Sequence, residues 1–170
     1  LGVPKTILSA DVDTQVVVVE MGMRGLGQIT HLCSYVRPDW GLITNVGESH
    51  IELLGSREAI AQAKGELFCA LPEGYGRAFI NGDNDFALSI MNDAHLATRR
   101  IETVIFSDTA KCDLGVVTGE QFLEPPCVWA SDITLDDQGR PQFTIHCQGF
   151  FPPGNPYDVD AQAAIAQRYR

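Results

Sequence analysis

A chain of 170 residues with 45% hydrophobic content is long enough to bury one core. Twelve Lys and Arg stand against 22 Asp and Glu, a net charge of -10 with no basic block to offset it, which argues against nucleic acid as a partner. No apolar run approaches the ~18 residues of a membrane span, no signal peptide opens the chain, and five scattered cysteines without a C-x-x-C pair fit reduced thiols of the cytoplasm.

In chain order, "QVVVVE" (residues 15–20) is a β-branched run closed by an acid, which predicts a central parallel strand covered on both faces. "GLGQITHLCSYV" predicts a helix with Ile29, Leu32, Cys33 and Val36 inward, ended by Pro38. "WGLITNV" predicts a second strand. Residues 56–71 then form a helix with Ser56 as N-cap and a stripe of Ile60, Ala63, Leu67, Phe68 and Leu71. "GRAFIN" is a third strand, "NGDN" a turn leading to a helix with Phe86, Ile90 and Met91, and "ETVIFS" a fourth strand.

This alternation predicts an α/β fold with a doubly wound, mostly parallel sheet. Beyond residue 107 the pattern changes to "DLGVVTG", "CVWASDITLDD" and "RPQFTIHCQG", strand-like stretches with no helix between them and a hairpin turn at "DDQGRP". They predict a small antiparallel β extension. The chain therefore divides into a parallel α/β part over residues 1–100, a β-rich extension over 101–150, and a Pro/Gly-rich linker with a helix over 151–170, all in one domain. Opening on Leu1 and closing on "IAQRYR", it reads as a piece of a longer protein.

Ligands of open parallel sheets bind at the carboxyl ends of the strands, and three polar features collect there. Glu20 closes the valine run, in the manner of a Walker-B carboxylate that holds magnesium. His50 and Asn45 lie in the loop after the second strand. Lys64 projects from the apolar stripe of the next helix, four residues after Ile60 and four before Phe68. A buried ammonium is costly unless paired or neutralised, so Lys64 is either a snorkelling stem or a residue held at a working site. "GLGQIT" approaches a dinucleotide-binding G-x-G-x-x-G, with Gly25 and Gly27 against a pyrophosphate, but Thr30 takes the third glycine's place. No P-loop is present, because Pro4 precedes the single Lys-Thr pair, Lys5-Thr6.

Together, "VVVVEMGMRGLGQITHL", "RPDWGLITNVGESHIELLGSREAIAQAKGELF" and "NGDN" resemble the central ATPase domain of the Mur ligases, densely from residue 16 to 85 and weakly from 101 to 149. The resemblance implies an ATP-dependent amide-bond ligase of peptidoglycan synthesis, of the type that joins D-alanyl-D-alanine to a UDP-N-acetylmuramoyl-peptide through an acyl phosphate. It implies ATP and Mg2+ as cofactors, and Glu20, His50 and Lys64 as metal ligands, Lys64 after carbamylation. Asn45 would lie near the bound nucleotide or substrate. The three ligands are expected to converge, Glu20 and His50 leaving neighbouring strands.

The match has departures. Gln28 stands where the family usually has glutamate, and Pro156, Tyr157 and Asp160 replace a histidine and two asparagines that help hold the nucleotide base. Without a P-loop, the chain alone is expected to be inactive and to bind ATP weakly. The alternatives are another Mur-like amide ligase and a dinucleotide-binding oxidoreductase domain.

Overall fold

The computed structural model describes residues 2–49, 51–107, 116–118, 121–123 and 127–148. His50 and the whole stretch from 149 to 170, with Pro156, Tyr157, Asp160 and the expected linker and helix, lie outside the described residues.

The order of elements is α1 (Gly2–Leu8), α2 (Gln28–Val36), β1 (Trp40–Ile43), α3 (Ile51–Leu54), α4 (Arg57–Cys69), β2 (Arg77–Asn81), α5 (Ala87–Asp93), β3 (Glu102–Ser107), β4 (Val116–Thr118), β5 (Gln121–Leu123), β6 (Cys127–Leu135) and β7 (Pro141–Gln148). One sheet has the order β1-β2-β3-β6-β7, and β4 and β5 make a separate antiparallel pair. The first four strands of the large sheet run parallel, and β7 returns antiparallel on β6. The fold is thus mixed α/β, with a mostly parallel sheet.

The local signals behind these elements are largely those expected. Ser56 is in the extended region and its hydroxyl accepts the Ala59 N–H at 3.2 Å, so α4 starts on a satisfied side-chain cap. Ile60, Ala63, Phe68 and Leu71 are all buried, and with Ile80, Leu96 and Ile105 they supply the core between helix and sheet. Gly41 of β1 allows the close approach of α4, since a Cβ there would lie 3.0 Å from Leu67 Cγ and 3.3 Å from Phe68 Cδ1. Arg99 ties the far end together, donating to the carbonyls of Phe68 and Ala94 at 3.1 Å each and of Leu71 at 2.5 Å.

One expectation fails. The valine run at 15–20 is not a central strand: it belongs to neither sheet, and Val16 and Val18 are 77% and 84% exposed. Val16, Val17 and Val18 line a shallow concavity with Thr6, Ser9 and Ala10. Beyond the acid, Met21 meets Cys33 (Sδ to Sγ 3.9 Å) and Met23 is buried. β-branched residues favour a pleated, packed surface, and among the described residues no neighbouring strand supplies one.

Candidate functional site

The parallel strands set the frame. β1 and β2 are in register from Trp40↔Arg77 to Ile43↔Ile80, so the chain leaves both at the same end of the sheet. There the loop that follows β1 is fastened by its backbone carbonyls. Asn81, the last residue of β2, donates its Nδ2–H to Thr44 O at 3.0 Å. Arg57 Nη2 donates to Val46 O at 3.1 Å and Asn84 Nδ2 to the same carbonyl at 3.4 Å. Between them, Lys64 Nζ donates to Asn45 O. Val46 itself is buried and pins the loop from below.

Lys64 is half-buried on α4, beside the fully buried Ala63. Desolvation pushes its pKa below the ordinary lysine value, because the charged form loses more hydration than the neutral amine. Its only described hydrogen-bond partner is a neutral carbonyl. The ammonium is turned toward the loop carbonyl, in a hydrogen bond that remains exposed.

Arg57 holds the adjacent turn. It forms a bidentate pair with Asp85 at 2.9 and 2.7 Å, and its guanidinium sits 4.8 Å from the centre of the Phe86 ring. The "NGDN" turn is therefore bound to the 44–47 loop through Asn81, Asn84 and Arg57. Sequence reasoning assigned nothing to Arg57 or Asn84, though an arginine right after an N-cap and facing an acid on the next turn was a usable signal.

Of the sequence-derived site residues, the structure joins Asn45 and Lys64. Glu20 is exposed on the segment outside both sheets, and among the described residues no hydrogen bond or ion pair links it to Lys64 or Asn45. Since residues 15–20 are not a strand, Glu20 does not leave a strand adjacent to β1. His50 is outside the described residues, and among those described no three His, Cys, Asp or Glu side chains gather into a metal-binding group.

A further residue went unread. α2 opens on Gly27 in the left-handed region (φ 79°), which has no side chain to cap the helix. Glu66, two residues after Lys64 on the neighbouring α4, does so: its carboxylate accepts Gly27 N–H at 2.5 Å, Thr30 N–H at 2.9 Å and the Thr30 hydroxyl at 3.1 Å. A carboxylate already fills the place where a dinucleotide's pyrophosphate would meet the helix N-terminus, so the dinucleotide alternative fails.

A family model described as the Mur ligase middle domain matches residues 1–142. The chain belongs to the Mur ligase family. Among curated Mur ligases, a UDP-N-acetylmuramoyl-tripeptide--D-alanyl-D-alanine ligase from Synechocystis sp. is 51% identical over 84 residues, covering 49% of this chain and 18% of that protein. Its namesake from Mycobacterium tuberculosis is 36% identical over 146 residues, covering 86% of this chain and 25% of that protein. Among solved Mur ligases, a crystal structure of MurF from Acinetobacter baumannii superposes with a TM-score of 0.63 at 26% identity, over 85% of this chain and 27% of that one. MurF from Thermotoga maritima, solved in complex with ADP, shares the fold with a TM-score of 0.59 at 23% identity, over 86% of this chain and 30% of that one. The chain thus spans no more than 30% of the length of any of these relatives.

Proposed function

We propose that this middle domain works within an ATP-dependent ligase that joins D-alanyl-D-alanine to UDP-N-acetylmuramoyl-tripeptide in the cytoplasm. The observation that carries the reading is Lys64, half-buried and hydrogen-bonded to Asn45 O at the carboxyl end of β1. The names of the curated relatives supply the substrates.

The reaction has two steps. The γ-phosphoryl group of ATP passes to the peptide carboxylate, giving an acyl phosphate and ADP. The amine of D-alanyl-D-alanine then attacks the acyl carbon, forming the amide bond and expelling phosphate. Charge accumulates on phosphoryl oxygens throughout, in a domain that is itself acidic, so neutralisation is the main task.

The donor chemistry fits a magnesium ion only if Lys64 changes its character. Glu20 offers a hard carboxylate oxygen, whereas an ammonium offers none. Burial that lowers the pKa of Lys64 raises the fraction of neutral amine, whose lone pair can attack carbon dioxide. A nitrogen–carbon bond forms, a proton is released, and the resulting carbamate presents two anionic oxygens. Glu20, the carbamylated Lys64 and His50 would then hold the metal, which neutralises phosphate charge when bound. Asn45 contributes a side-chain amide to the same loop and meets an oxygen of the nucleotide or the substrate.

The test is Lys64→Ala in a complete ligase carrying this chain. Ligation should fall by roughly 100- to 1,000-fold, as expected when a metal ligand is lost. Added formate or acetate should restore part of the rate. Lys64→Arg should be as inactive as the alanine variant, because a permanent guanidinium cannot be carbamylated. Labelled carbon dioxide should give a carbamate carbon resonance in the wild type alone. Full activity in Lys64→Ala would overturn the assignment.

A further inference from the structure

Asn45 reaches the site through a side chain whose two ends are chemically opposite, and the structure contains a reason for which end faces outward. The reason starts at a backbone amide. Phe86 N–H can only donate, and it donates to Asn84 Oδ1 at 3.1 Å. That fixes the other end of Asn84 as its NH2 group, a donor, which points to Val46 O at 3.4 Å and to Asn45 Oδ1. Asn45 must therefore offer its oxygen to Asn84. Asn45 is exposed, and its own Nδ2, with two protons, has no hydrogen-bond partner among the described residues.

We propose that Asn84 is a positioning residue that sets the polarity of Asn45, so that Asn45 presents a hydrogen-bond donor to an anionic oxygen of the ligand. The inference rests on the reading of the 44–47 loop as ligand-facing, and adds what that reading lacks: the sense of the contact and the residue that enforces it. The ligand atom it selects is a phosphoryl or carboxylate oxygen, which can only accept. The relay is Phe86 N–H to Asn84 to Asn45 to ligand. Reversing any link turns an acceptor toward an anion.

The relay has a test that a plain structural role does not pass. Asn84→Asp keeps an oxygen for Phe86 N–H, so the turn stays capped. Val46 O keeps its bond from Arg57, and the variant should fold, with a small loss where the new carboxylate oxygen faces that carbonyl. Its second carboxylate oxygen, however, faces Asn45 as an acceptor. Asn45 must then rotate its amide to donate inward, and its Oδ1 faces the ligand. Asn84→Ala loses the cap but leaves Asn45 free to adopt either orientation.

In a complete ligase carrying this chain, kcat/KM should fall about 10- to 100-fold in Asn45→Ala, the range for a lost hydrogen bond to a charged group. Asn84→Asp should lose at least as much, and Asn84→Ala clearly less. A purely structural Asn84 gives the reverse order, with aspartate milder than alanine. The Asn84→Asp loss should also persist as salt is raised, whereas simple repulsion by the new charge would be screened. A raised KM for ATP identifies the oxygen as the nucleotide's, and a raised KM for the UDP-peptide identifies it as the substrate carboxylate. If Asn45→Ala is impaired but Asn84→Asp is milder than Asn84→Ala, or is rescued by salt, the relay is wrong and the loop assignment stands. If Asn45→Ala behaves as wild type, the ligand-facing role of Asn45 itself falls.

Discussion

Glu66 accepts the backbone N–H of Gly27 at 2.5 Å, across 39 residues of sequence. Because the same carboxylate also takes Thr30 N–H and its hydroxyl, α4 caps α2, and the helix that carries Lys64 is fixed to the segment that follows Glu20. Removing a capping oxygen from a helix costs about 1–2 kcal/mol, so Glu66→Ala should lower the unfolding free energy by that amount. Glu66→Gln keeps an acceptor but loses its charge, and should fall between wild type and alanine. Urea unfolding measured by far-ultraviolet circular dichroism checks the order.

Thr103 gives a change of the opposite sign. It lies on β3, buried, and its hydroxyl has no hydrogen-bond partner among the described residues. Thr103→Val keeps the β-branched shape and removes the unsatisfied group, so stability should rise by about 1 kcal/mol. The same unfolding experiment reads it, and a loss of stability would mean that the hydroxyl is satisfied after all.

The hairpin turn between β6 and β7 should respond to acid. Asp136 accepts the backbone N–H groups of Arg140 and Gln138 at 2.9 Å each and pairs with Arg140 Nε at 2.7 Å. The backbone bond from Arg140, with its side-chain bond and that from Gln138, holds the Asp136 carboxyl below its ordinary value of 3.8. A depressed carboxyl pKa contributes stability that is complete above the unfolded-state value and is lost as pH falls through the folded one. The protection of the Gln138 and Arg140 amides, after division by the intrinsic exchange rate at each pH, should therefore hold above pH 3.8 and fall below it. In Asp136→Ala the protection should be low at every pH.

The helix of Lys64 was legible because its signals are local. Ser56 caps it, Ile60, Ala63, Phe68 and Leu71 repeat at helical spacing, and a lysine among them stands out. The strands β1, β2 and β3 were legible for the same reason, as short apolar runs between turns. The valine run misled because a strand is completed by its neighbours, which composition does not reveal. Glu66 and Asn84 were hidden because each acts on a partner more than 35 residues away in sequence. Their signals were indirect: a helix opening on glycine with no capping oxygen nearby, and a turn with more amides than its own backbone needs.

The unpaired valines also set how this polypeptide behaves in a crowd. Val16 and Val18 are largely exposed on a segment whose backbone joins neither sheet, a place where another such segment can pair. A net charge of -10 keeps copies apart while its field reaches out. In 0.1 M salt that field decays within about 10 Å, and at higher salt within a few. Light scattering should thus find single particles in dilute buffer and growing ones as salt is added, with Val18→Lys suppressing the growth. Storage in low salt would then preserve the chain better than the customary saline.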